Sequence, residues 1–261
     1  MAMARTSDRV RVILVAVTAV LQAVAVPFTT WALGPSSTTR AISEANSSAV
    51  TPAGYSFYVW GLIWVGCLAL AVYQLLPSQQ ERRVHRLTGW WLFGAFTASA
   101  LSVLIFGTGT IWLAQTLIVI MVGYLIVAAR AFLVVGPAPS LAEQIFLRLP
   151  VMIYLGWATF VAAAGFATVF RSWGMPAAAR WANAIGTLLV VSALIMSLFV
   201  VGRLVAVLGF LLTACWALFA IAVATNSNSV RNASVLAIVI MVAVVVGRIL
   251  RNPDRREVLL G

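Results

Sequence analysis

Residues 51–74 read TPAGYSFYVWGLIWVGCLALAVYQ, and this stretch decides the fold. A Pro-Ala-Gly corner, Pro52 to Gly54, precedes Tyr55, Phe57, Trp60 and Trp64, and small and aliphatic residues follow. The run carries no charge and is long enough to cross a hydrocarbon layer roughly 30 Å thick as one helix. At about 1.5 Å per residue, Trp64 lies about 15 Å into that helix, the depth of the bilayer midplane. Indoles normally anchor at the membrane surface. A tryptophan at the centre either packs between helices or forms a face for a flat apolar molecule.

The rest of the chain has the same character. Of 261 residues, 63% are hydrophobic and 9% charged, and the mean hydropathy is +1.05, a balance that no soluble domain keeps. The fold expected is all-α, a polytopic membrane protein with about eight transmembrane helices. The apolar segments are 12–33, 54–76, 89–106, 111–133, 150–170, 181–201, 204–225 and 235–246 with its flanks. In the first, Ala23-Val24-Ala25 resembles a signal-peptide cleavage site, but the segment reaches spanning length only if it is kept through Leu33, so it reads as an uncleaved helix. Pro27 is expected to kink its outer third. The polar stretch 34–50, rich in Ser and Thr, is a candidate lid over whatever the second helix lines.

The formal charge of +11 comes from 17 arginines and no lysine. They stand singly or in small groups between apolar segments, so they report topology and not nucleic-acid binding. With eight spans and both termini cytoplasmic, Arg40, Arg171, Arg180 and Arg231 fall outside and the other thirteen of the 17 fall inside. That asymmetry predicts this orientation. The alanine-rich, all-arginine usage suggests a bacterium, and the location expected is its inner membrane, with both termini cytoplasmic.

Several chemistries are excluded. Without lysine there is no Schiff base for retinal or pyridoxal phosphate. The one histidine, His85, reads as a solvated residue of an arginine-rich loop, so no bis-histidine haem, histidine zinc site or Ser-His-Asp triad can be assembled from one chain. Cys67 and Cys215 read as buried apolar residues. None of the six acids lies inside an expected span, which argues against ion-coupled transport and carboxylate or metal hydrolysis. What remains is aromatic. Phe57, Trp60 and Trp64 follow an i, i+3, i+7 spacing on one helix face, and Trp157 and Trp216 also fall near midplane.

Pro52-Ala53-Gly54-Tyr55-Ser56-Phe57, followed by Trp60 and Trp64, resembles the signature that opens the second helix of the TspO/MBR family, the translocator protein and bacterial tryptophan-rich sensory proteins. Leu149-Pro150 with Tyr154-Leu155-Gly156-Trp157 is similar to a segment of that family's fifth helix. The Phe-to-Trp spacing is one residue shorter than usual, and the family's asparagines on the third and fifth helices are absent. The resemblance implies a five-helix TspO-like unit over 1–172, three additional transmembrane helices over 173–252 and a cytoplasmic tail over 253–261. It also implies a membrane protein that binds an apolar or aromatic small ligand, of tetrapyrrole or sterol/isoprenoid type, as sensor or carrier. The ligand-binding positions carried over are Pro52, Gly54, Tyr55, Phe57, Trp60, Trp64 and Trp157. No cofactor is required, a porphyrin or haem-type ligand being the guest implied. Expected partners are membrane lipids, the small ligand and, as one arrangement, a second copy of the chain. The alternatives are an enzyme that degrades or modifies such a ligand, and a transport or scaffold protein whose deep aromatics only pack.

Overall fold

The computed structural model describes residues 6–176, 181–252 and 254–261. Arg5 and Arg180, both used in the orientation count, lie outside the described residues. The helices are α1 (Thr6–Leu33), α2 (Thr39–Ala45), α3 (Val59–Leu75), α4 (Arg83–Gly107), α5 (Ile111–Val135), α6 (Leu141–Glu143), α7 (Leu149–Ser172), α8 (Ala182–Arg203), α9 (Leu208–Ala224), α10 (Asn228–Arg251) and α11 (Arg255–Leu260). A 3₁₀ turn, Gly54–Tyr58, leads into α3, and a π turn, Gln144–Arg148, joins α6 to α7. The protein is an all-helical multi-pass membrane protein. Among the described residues, seven helical segments are long and apolar enough to cross a bilayer. The eighth, α9, is apolar but has 17 residues, about 25 Å at 1.5 Å per residue.

α1, α3, α4, α5, α7, α8, α9 and α10 form the bundle, with α2 packed at one end and Arg11, Arg82, Arg86 and Arg148 gathered at another. In lipid, small residues decide which helices approach closely. On α4, Gly94 lets the Tyr124 ring of α5 lie against the backbone, and buried Ala95, Ala98, Ser99 and Ser102 keep that helix slim. α4 accordingly packs between α1 and α5, and α5 packs on α7. On the far side α7 is covered by α8 and α9, and α10 closes against both. α1 continues unbroken through Pro27 to Leu33.

The arginine-rich end is built from buried charge. Asp8 pairs with Arg11 and with Arg86, tying α1 to α4. Glu143, fully buried, accepts from Arg148, also fully buried, and sits 2.9 Å from Arg82. α4 begins at Arg83, six residues before the span expected from hydropathy, because Val84, His85 and Thr88 bury in its first turns. His85 is therefore no loop residue: 1% exposed, its ring lies edge-on to Tyr73 at 5.5 Å.

The tail returns to the bundle. Val258 is 1% exposed, the Glu257 and Val258 carbonyls accept from the amides of Ala206 and Val207, and the Gly261 carbonyl accepts from Ala138 N and Gln144 Nε2. α9 starts four residues later than expected because Leu204 to Val207 serve this contact. Ala206 adopts φ 59°, which costs an L-residue about 1–2 kcal/mol and is held by the tail.

Candidate functional site

The Pro-Ala-Gly corner forms the 3₁₀ turn. Proline fixes φ and the Ser56 hydroxyl donates back to the Ala53 carbonyl at 2.7 Å, closing the turn on itself. Neighbours hold it from two sides. From α9, the Ala220 carbonyl accepts from Ala53 N at 3.2 Å, Trp216 Nε1 donates to the Ser56 carbonyl at 3.3 Å, and the Trp216 ring meets Tyr55 edge-on at 5.5 Å. From α2, the Arg40–Glu44 pair, Nε to Oε1 at 2.8 Å, rests on the bare α carbon of Gly54. A β carbon at Gly54 would stand 2.7 Å from both Arg40 Nη2 and Glu44 Oε1.

Below α2 lies a cavity of about 260 Å³ between α1, α3 and α4. Its walls are Val26, Phe57, Trp60, Trp64 and Val103. Thr38, Thr39, Arg40 and Tyr58 form the rim, and Ser99 is the polar group deeper in. Trp60 and Trp64 stack at 6.3 Å with 26° between their planes, which makes two turns of α3 one continuous aromatic wall. Behind it, Trp60 stands edge-on to Tyr154 at 5.9 Å and to Trp157 at 6.3 Å, and Phe57 edge-on to Trp157 at 6.1 Å. Each such contact adds about 0.5–1.5 kcal/mol beyond the area it buries, so the wall is rigid. One side is open: Gly61 is exposed, and no heavy atom lies within 4 Å of where its β carbon would be.

Phe57 also lines a smaller chamber of about 40 Å³, with Pro52, Thr39, Phe106, Gln115 and Gly165 among its walls. The Gln115 Nε2 donates to the Ala162 carbonyl at 2.6 Å, which leaves its buried Oε1 without a partner. Phe57 stands against both spaces.

The seven residues carried over from the resemblance divide accordingly. Phe57, Trp60 and Trp64 meet around the cavity. Trp157 is completely buried behind them, its indole nitrogen without a partner. Pro52 faces the smaller chamber, Gly54 seats α2, and Tyr55 turns away from the cavity to α9. Trp216, expected near midplane, is 39% exposed and braces the corner. Glutamines were missed. Gln22, fully buried on α1, lies 3.1 Å from the Tyr154 hydroxyl, which is also 3.1 Å from Met121 Sδ. A scan for intramembrane amides, and not for charges alone, would have found both Gln22 and Gln115.

Electrostatically the cavity has a single charged lining residue, Arg40. Its hydrogen bond to Glu44 raises the guanidinium pKa from a value that is already very high, so it stays cationic. Among the described residues, no three His, Cys, Asp or Glu side chains gather as a metal site would need.

The family model described as "TSPO-like protein" matches residues 11–249 of this chain, from within α1 to within α10. Searches of curated proteins and of solved structures gave no match.

Proposed function

Because the chain belongs to the TSPO-like protein family, we propose that the cavity beneath α2 takes an apolar or aromatic small molecule from the bilayer and that the protein serves as a sensor or carrier for it. The supporting observation is the wall formed by Phe57, Trp60 and Trp64, stiffened from behind by Trp157 and open towards lipid at Gly61. Such a surface binds flat molecules by dispersion and burial. At about 260 Å³ the cavity falls just below the usual range for enclosing a drug-sized molecule, so a tetrapyrrole would protrude at Gly61 or turn the Phe57 ring.

Titration of the purified protein with protoporphyrin, followed by tryptophan fluorescence, tests the reading. Saturable quenching that weakens in Trp60→Phe and Trp64→Phe is expected. An unsaturable response, unchanged in both variants, would refute it.

The orientation that accompanies this function puts α2 outside and both termini in the cytoplasm of a bacterial inner membrane. The arginine asymmetry supports it. Reporter fusions at Ser47 and Gln79 should report outside and inside respectively, and the reverse would overturn the orientation.

A further inference from the structure

We propose that Arg40 makes the cavity selective for amphiphiles with an acidic head, whose carboxylate sits on the guanidinium at the rim while the apolar body lies against Trp60 and Trp64. The inference rests on the reading of this cavity as a ligand site, and it specifies the class of ligand.

The chemistry of the lining is sharply divided. The body of the cavity, Val26, Phe57, Trp60, Trp64 and Val103, offers no charge and would exclude any ligand that is charged along its length. The charge lies at the rim, in an Arg40–Glu44 ion pair of which Arg40 is the member that lines the cavity. An acid that enters head-last therefore satisfies both parts at once, and a neutral molecule of the same shape satisfies one.

Arg40 is arranged to receive such a head. Its Nε donates to Glu44 Oε1 at 2.8 Å, and the Tyr58 hydroxyl is its other polar neighbour. Glu44 thus fixes the plane of the guanidinium through one N–H, and the terminal N–H groups form the edge that suits a carboxylate in bidentate fashion. The seat is set by Gly54, where the missing side chain lets the pair rest on the corner directly above Phe57 and Tyr58. Thr39 and Tyr58, both hydroxyl-bearing, line the same rim. Because the Arg40 side chain is 49% exposed, its contribution is moderate and sensitive to salt.

Protoporphyrin IX and its dimethyl ester share one macrocycle and differ only in the two carboxylates, so they form the test pair. Each is titrated against the full-length protein, Arg40→Gln and Arg40→Lys in the same detergent, and each probe is compared across proteins so that its own partition into micelles cancels. Arg40→Gln is expected to weaken the free acid roughly fivefold, as befits a half-exposed ion pair, and to leave the ester unchanged. Arg40→Lys should retain part of the preference, and about 1 M salt should remove it in the unmodified protein. If Arg40→Gln changes both probes equally, or neither, the selectivity claim is overturned while the cavity reading stands. If neither probe binds saturably to the unmodified protein, the cavity reading fails and the inference with it.

Discussion

Substitution of Glu143 by glutamine should destabilise the protein far more than the loss of one surface charge. The Glu143 carboxylate is fully buried, accepts from Arg148 at 2.7 Å and 3.1 Å, and stands 2.9 Å from Arg82. The amide keeps the shape and an acceptor for Arg148 but removes the anion, which leaves the Arg148 guanidinium at 0% exposure without a countercharge, beside the Gly136 carbonyl and the Phe132 ring. An uncompensated buried charge of this kind costs about 3–5 kcal/mol. Arg82→Gln is the control: its side chain is 31% exposed, so it should cost less than about 1 kcal/mol. In Glu143→Leu with Arg148→Met both charges go together, and most of the loss should return, the remainder being about 1 kcal/mol for the unpaired Gly136 carbonyl. Reversible unfolding in mixed micelles of increasing SDS fraction measures all three. Glu143→Gln within about 1 kcal/mol of the parent, or equal to Arg82→Gln, would refute the reasoning.

Three further outcomes follow from the geometry. Phe57→Ala joins the cavity to the smaller chamber, so the affinity for a bulky tetrapyrrole should rise even as the lost contact with Trp157 lowers unfolding stability by about 1–3 kcal/mol, both read by titration and denaturation. Trp216→Phe deletes the indole donor to the Ser56 carbonyl, a cost of about 1 kcal/mol, and amide exchange at Ala53 should quicken. Val258→Asp should release the tail, raising exchange at the Ala206 and Val207 amides while Ala53 keeps its protection.

Hydropathy made the spans legible because seven of the eight crossing helices bear apolar windows that no loop imitates. It could not place their ends where charge is buried. The stretch from Arg82 to Arg86 reads as an arginine-rich loop, yet Glu143 and Arg148 are at zero exposure because they neutralise each other five positions apart and Arg82, from a distant segment, joins them, a gathering that no local pattern shows. The tail reads as soluble for the same reason: one buried Val258 and a few main-chain bonds to a strained Ala206 fasten it, and neither leaves a mark in composition. At the candidate site, the i, i+3, i+7 spacing on α3 was enough to bring Phe57, Trp60 and Trp64 to one wall. Which way Tyr55 turns depended on Trp216, 161 positions further along the chain, and the role of Gly54 depended on how α2 folds back.

The central claim, that the space beneath α2 is where a ligand sits, meets its most direct test at Gly61. This residue lines the cavity, is exposed, and has open space where a β carbon would go, so Gly61→Phe fills the mouth without displacing a neighbour. The account predicts that Gly61→Phe unfolds at the same SDS fraction as the parent, or slightly above it, and loses saturable protoporphyrin binding; a variant equally stable and equally able to bind would contradict it.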